Sequence, residues 1–75
     1  MTALAPTTAL KSIVLNGAGL ETRAATLAEL LDEQGFGGRK VATALNGDFV
    51  PERTRAATPV ATGDRIEVVS ARQGG

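Results

Sequence analysis

The chain ends Ser70-Ala71-Arg72-Gln73-Gly74-Gly75, and the group best suited to chemistry is the carboxylate at Gly75. A backbone with no Cβ at two successive positions is narrow and takes almost any φ/ψ. Such a tail can thread a tight channel and present its carboxylate to a nucleotide or a sulfur donor. A diglycine end taken alone reads as a frayed, solvated terminus. The strong strand pattern running to within a few residues of Gly74 turns the reading toward function.

Other chemistry finds little support. Cysteine, histidine, tryptophan and tyrosine are absent, which excludes thiolate and imidazole catalysis and Cys/His zinc sites. The acids Asp48, Glu52 and Asp64 fall in turns with no pocket to shift their pKa values, so a small hydrolase is disfavoured. Gly35, Gly37, Gly38 and Lys40 miss the Walker spacing and follow a helix pattern instead of opening one. Gly17-Ala18-Gly19 lacks the third glycine of a dinucleotide fingerprint and precedes a strand pattern. Arg53 and Arg55 read as a solvated loop more readily than as a basic patch.

Seventy-five residues make one domain, burying only about 60% of the surface the unfolded chain exposes. Apolar residues are 43% and aromatics 3%, so the core is aliphatic. Eight basic and eight acidic side chains cancel, leaving no electrostatic footprint for nucleic acid or an anionic membrane. No apolar run reaches membrane-span length, and the first residues lack a signal peptide's basic flank and hydrophobic stretch. The absence of cysteine is compatible with the cytoplasm, the expected location.

These features set the elements that must position the tail. Residues 1–9 are an Ala/Thr segment without periodicity, expected to be a disordered extension. Residues 10–15 (LKSIVL) read as a strand with Ile13 and Leu15 on one face and Val14 on the other. Asn16-Gly17 is a hairpin signal, Gly19 is expected to loosen the turn, and residues 20–24 form the return strand. Thr26-Leu27-Ala28-Glu29 is a capping box. Leu27, Leu30 and Leu31 make an apolar stripe, and Gly35 ends a helix of about two turns. Residues 36–40 connect to a third strand, residues 41–45 (VATAL). Asn46-Gly47 is a second hairpin turn, and Asp48-Phe49-Val50 is a short edge strand stopped by Pro51. Residues 52–58 read as polar loop. Val60 tucks under the core before Gly63-Asp64, and residues 65–69 (RIEVV) are the clearest strand.

Two hairpins flank one helix, and the most apolar strands are the first and last, which therefore lie centrally. This order gives an α+β, β-grasp (ubiquitin-like) fold: a mixed four- to five-stranded sheet, parallel at its centre, with the helix across one face. The domain spans 10–70 and the tail 71–75. The expected core is Ile13, Leu15, Leu27, Leu30, Leu31, Val41, Leu45, Val60, Ile66 and Val68. The opposite face carries Val14, Ala42, Ala44 and Val69, apolar residues where a solvated sheet shows polar ones. They are candidates for a partner-docking face beside the exit of the tail.

Residues 41–51 (VATALNGDFVP) resemble the V-A-V-E-x-N-G-x-x-V-P segment of the ThiS-type sulfur carrier family of bacterial thiamine thiazole synthesis. Gly63-Asp64-Arg65-Ile66-Glu67-Val68-Val69 resembles its G-D-x-I-E-I-V strand, at the family's usual distance from a terminal Gly-Gly. Ile13, Leu15, Asn16 and Gly17 resemble its opening strand and turn. The likeness covers roughly 11–75. Ala44 stands where an acidic residue is common, and Ala71-Arg72-Gln73 departs from the small apolar run often seen before Gly-Gly.

The resemblance implies a sulfur carrier that is no enzyme itself and binds no cofactor. An E1-like adenylyltransferase joins the Gly75 carboxylate to AMP, with ATP and Mg²⁺ as its own substrates. Sulfur from a donor such as a cysteine desulfurase displaces AMP and leaves a thiocarboxylate, and thiazole synthase receives that sulfur. Gly74, Gln73 and Arg72 are the implied tail-recognition residues. Alternatives are a carrier for molybdopterin or cysteine synthesis, a ubiquitin-like tag conjugated to lysines, and a β-grasp interaction module with an inert tail.

Overall fold

The computed structural model describes residues 9–70. Residues 1–8 of the expected 1–9 extension and the tail over 71–75 lie outside the described residues. Strands β1 (Lys11–Leu15), β2 (Ala18–Thr22), β3 (Val41–Leu45), β4 (Asp48–Val50) and β5 (Arg65–Ser70) form a sheet in the order β2-β1-β5-β3-β4. β1 and β5 pair in parallel at its centre, and the other pairs are antiparallel. Helix α1 (Leu27–Glu33) lies across one face. The expected β-grasp arrangement is therefore the observed one.

Both Asn-Gly pairs turn as their residue types dictate. Asn16 and Gly17 have φ of 50° and 84°, Asn46 and Gly47 52° and 90°, the left-handed pair of a two-residue hairpin. The first turn is tighter than expected. Leu15 pairs directly with Ala18, so β2 begins two residues early, and Gly19 is a strand residue opposite Val14. A two-residue turn matches the twist of its strands and needs no loosening glycine.

α1 is seven residues long, too short to persist without its caps and its packing. The Thr26 hydroxyl accepts from the Glu29 amide at 3.2 Å, while the Glu29 carboxylate accepts from the Ala25 amide at 2.9 Å. At the other end Gly35 (φ 87°) lets the Phe36 amide reach Leu31 O at 2.8 Å and its own amide reach Asp32 O at 3.2 Å. That is the two-bond helix stop that favours glycine.

The core comprises Ile13, Ala24, Leu27, Leu30, Leu31, Val50, Val60, Ile66 and Val68, with Leu15, Val41 and Leu45 half-buried at its margin. Ala24 and Val50 join the expected set. Val60 is placed by short pairing with the start of α1: Val60 N–H donates to Ala25 O and Leu27 N–H to Thr58 O.

The expected polar loop is instead a 3₁₀ helix, Glu52–Ala57. It turns Arg55 inward, where Nε donates to Thr43 Oγ1 (3.1 Å) and Nη2 to Val41 O (2.7 Å). Arg55 is buried and Arg53 exposed, so the two form no joint patch. Among the described residues no helix is long and apolar enough to cross a membrane.

Candidate functional site

Gly75, Gly74, Gln73 and Arg72 lie outside the described residues. The structure describes the strand that leads to them and the surface beside it. β5 is held on both sides. Its Ile66 and Val68 side chains enter the core, and its backbone pairs with β1 on one edge and with all of β3 on the other. Arg65, Glu67 and Val69 alternate with those residues and face away from α1.

Register decides which docking candidates meet. Ala42 pairs with Val69, and Ala44 lies between Glu67 and Phe49. β3 and β5 thus bring Ala42, Ala44 and Val69 together on the open face. Val14 shares the face but pairs with Arg65, four residues before Val69 and about 13 Å away along the strand. Arg65 and Glu67 stand between it and the other three. Phe49 completes the patch. It is 69% exposed and Val69 62% exposed, a large ring and a β-branched chain offered to solvent near the exit of the tail. Sequence reading gave Phe49 no face, although the period of two sets it opposite buried Val50.

The other face carries an open groove of about 660 Å³ between the end of α1, the connector 36–40 and the 3₁₀ helix. Arg39, Lys40 and Arg55 line it together with Asp32 and Glu52. The Arg39 guanidinium lies over the Phe36 ring at 5.9 Å. Its glycines follow the carbonyl end of α1, the pole that repels phosphate, in keeping with their reading as turn residues. Asp64 is spent on its turn: Oδ2 accepts from Ala61 N–H at 2.8 Å and Oδ1 from Asn46 Nδ2 at 3.0 Å. Among the described residues no cluster of acids could hold a metal ion.

The sequence model of the ThiS family matches residues 13–75. No curated protein matches the chain. Among solved structures, the chain is similar to the thiamine biosynthesis protein (ThiS) from Geobacter metallireducens, with 26% identity and a TM-score of 0.72 over 85% of this chain and 99% of that one.

Proposed function

The chain belongs to the ThiS family, and from that premise we propose that it carries sulfur for thiamine biosynthesis as a thiocarboxylate at Gly75. A carboxylate is a poor electrophile because its charge repels nucleophiles. An ATP-dependent adenylyltransferase removes that charge by joining the Gly75 carboxylate to AMP, releasing pyrophosphate. Attack by a sulfide equivalent at the acyl carbon expels AMP and leaves C(=O)S⁻. Where a desulfurase persulfide supplies the sulfur, an acyl disulfide forms first, and a partner thiol cleaves it by closing a disulfide. Thiazole synthase is the proposed acceptor. ATP and Mg²⁺ belong to the activating partner, and the carrier contributes no catalytic side chain.

The observation that supports this reading best is the placement of β5. A strand locked between β1 and β3 runs outward to Ser70 and leads into a stretch ending Gln73-Gly74-Gly75. Gly74 and Gly75 suit a channel too narrow for side chains. Ala42, Ala44, Phe49 and Val69 form the proposed docking face for the activating enzyme. Val14 lies outside that face, beside Arg65, and Arg72 and Gln73 engage the mouth of the channel.

The test is a one-residue extension beyond Gly75. It moves the carboxylate and adds a Cβ without touching the domain, so adenylation should disappear while the circular dichroism spectrum and melting temperature stay as they were. Unchanged adenylation of the extended chain would refute the reading.

A further inference from the structure

We propose that Asn16 is a positioning residue for the transfer at Gly75, acting as the last rung that fixes the direction in which β5 leaves the domain. The proposal rests on the carrier reading above. β1 stops at Leu15, where the chain turns back into β2, whereas β5 continues to Ser70. The parallel backbone register covers only Val14↔Arg65 and Leu15↔Ile66. Among the described residues, no strand lies beside the β1-facing edge of β5 from Val68 onward.

Asn16 fills that place. Its own amide donates to Ile66 O at 2.9 Å. Its side-chain Oδ1 then accepts from Val68 N–H at 2.8 Å, and its Nδ2 donates to Val68 O at 3.2 Å. The carboxamide presents one acceptor and one donor side by side, the pattern of a peptide group. It therefore stands in for the next residue of a strand that has already turned away. The left-handed backbone of Asn16 (φ 50°) aims the side chain at β5, so the hairpin turn and the clamp are one device.

Asn46 performs a parallel task at the other end of the same strand. Its amide donates to Arg65 O at 2.7 Å, and its Oδ1 accepts from Arg65 N–H at 2.8 Å. The two turns thus grip β5 at both ends, and the grip nearer the tail belongs to Asn16. Beyond Val68, strand pairing continues on the β3 edge alone, through Ala42↔Val69 and Val41↔Ser70. Asn16 consequently sets the last point at which β5 is held from both sides.

Glycine suits the left-handed backbone at both positions, so Asn16→Gly and Asn46→Gly keep the turns and delete only the carboxamides. Both variants should lose melting temperature to a similar degree. The Val68 amide should exchange with solvent about fivefold faster in Asn16→Gly, the equivalent of one net hydrogen bond, and at its normal rate in Asn46→Gly. In steady-state adenylation, Asn16→Gly should raise the KM for the carrier about fivefold with kcat little changed, as expected when binding geometry alone is lost. Asn46→Gly should leave KM near that of the unmodified chain. Equal KM values in the two variants, or unchanged Val68 exchange in Asn16→Gly, would overturn the assignment. A failure of the unmodified carrier to be adenylated refutes the carrier reading instead, and the clamp is then judged on Val68 exchange alone.

Discussion

Arg55 shows what one side chain does for this small core. The residue is 9% exposed, and its guanidinium bonds two neutral oxygens, one of them the hydroxyl of Thr43, which itself donates to Val50 O at 2.8 Å. The chain Val41–Arg55–Thr43–Val50 ties the 3₁₀ helix to both strands of the second hairpin. Arg55→Ala should destabilise the domain by about 2 kcal/mol through lost stem packing and the orphaned Val41 carbonyl. Arg55→Lys should recover only part of that, since an ammonium lacks the planar fork; urea unfolding checks both. Phe49→Ala should do the opposite. Exposed substitutions of this kind shift stability by less than about 0.5 kcal/mol, yet loss of the ring from the proposed docking face should weaken association with the activating enzyme several-fold. The contrast explains what was legible residue by residue. Strand alternation marked Ile13, Ile66 and Val68 as core, and the helical stripe marked Leu30, because their types and their spacing agree. It passed over Arg55, Thr43 and Thr22, polar types whose burial depends on partners that only tertiary structure supplies. For Thr22 those are the Ala24 amide and the Glu33 carboxylate.

Among the elements, α1 depends most on its ends. Seven residues lie below the length at which a helix persists in water, so the Thr26 cap, the Glu29 reach-back and the Gly35 stop carry much of its definition. Thr26→Ala should cost about 1 kcal/mol, read as a melting temperature lower by roughly 4–8 °C for a domain of this size. Both caps were legible because each is a local pattern with a local cause. The same holds for β3, β4 and the Asn-Gly turns. β2 was misplaced because Gly19 suggested a longer turn, whereas the two-residue turn lets pairing begin at once at Ala18. The 3₁₀ helix was missed because Glu52–Ala57 has no apolar stripe. It forms because Pro51 launches it, through bonds from the Thr54 amide and hydroxyl to Pro51 O at 3.0 Å, and because Arg55 anchors it. The apolar patch proposed for docking was partly legible: Ala42, Ala44 and Val69 meet by register, while Val14 falls outside because the parallel pairing with β5 sets it beside Arg65.

At the scale of the whole molecule, the sheet is built around the strand that leads to the proposed reactive end. β5 lies third of five, with the Asn16 and Asn46 turns closing on it from either side. A central strand is the part of a small sheet least prone to fray, so the strand that leads to residues 71–75 is among the firmest elements of the domain. On the proposed reading this arrangement separates two demands: the domain would supply a mount and a docking face, and the diglycine an end slim enough for another protein's active site. Deleting Gly74 and Gly75 should therefore abolish sulfur loading while leaving binding of the activating enzyme measurable through the face at Phe49 and Val69. The decisive measurement is the intact mass of the protein after incubation with its activating enzyme, ATP, Mg²⁺ and a sulfur source. A carrier gains the mass of one oxygen-to-sulfur exchange, and fragmentation places it on Gly75. A chain that stays at its original mass, with no acyl-adenylate formed when the sulfur source is left out, is not a carrier.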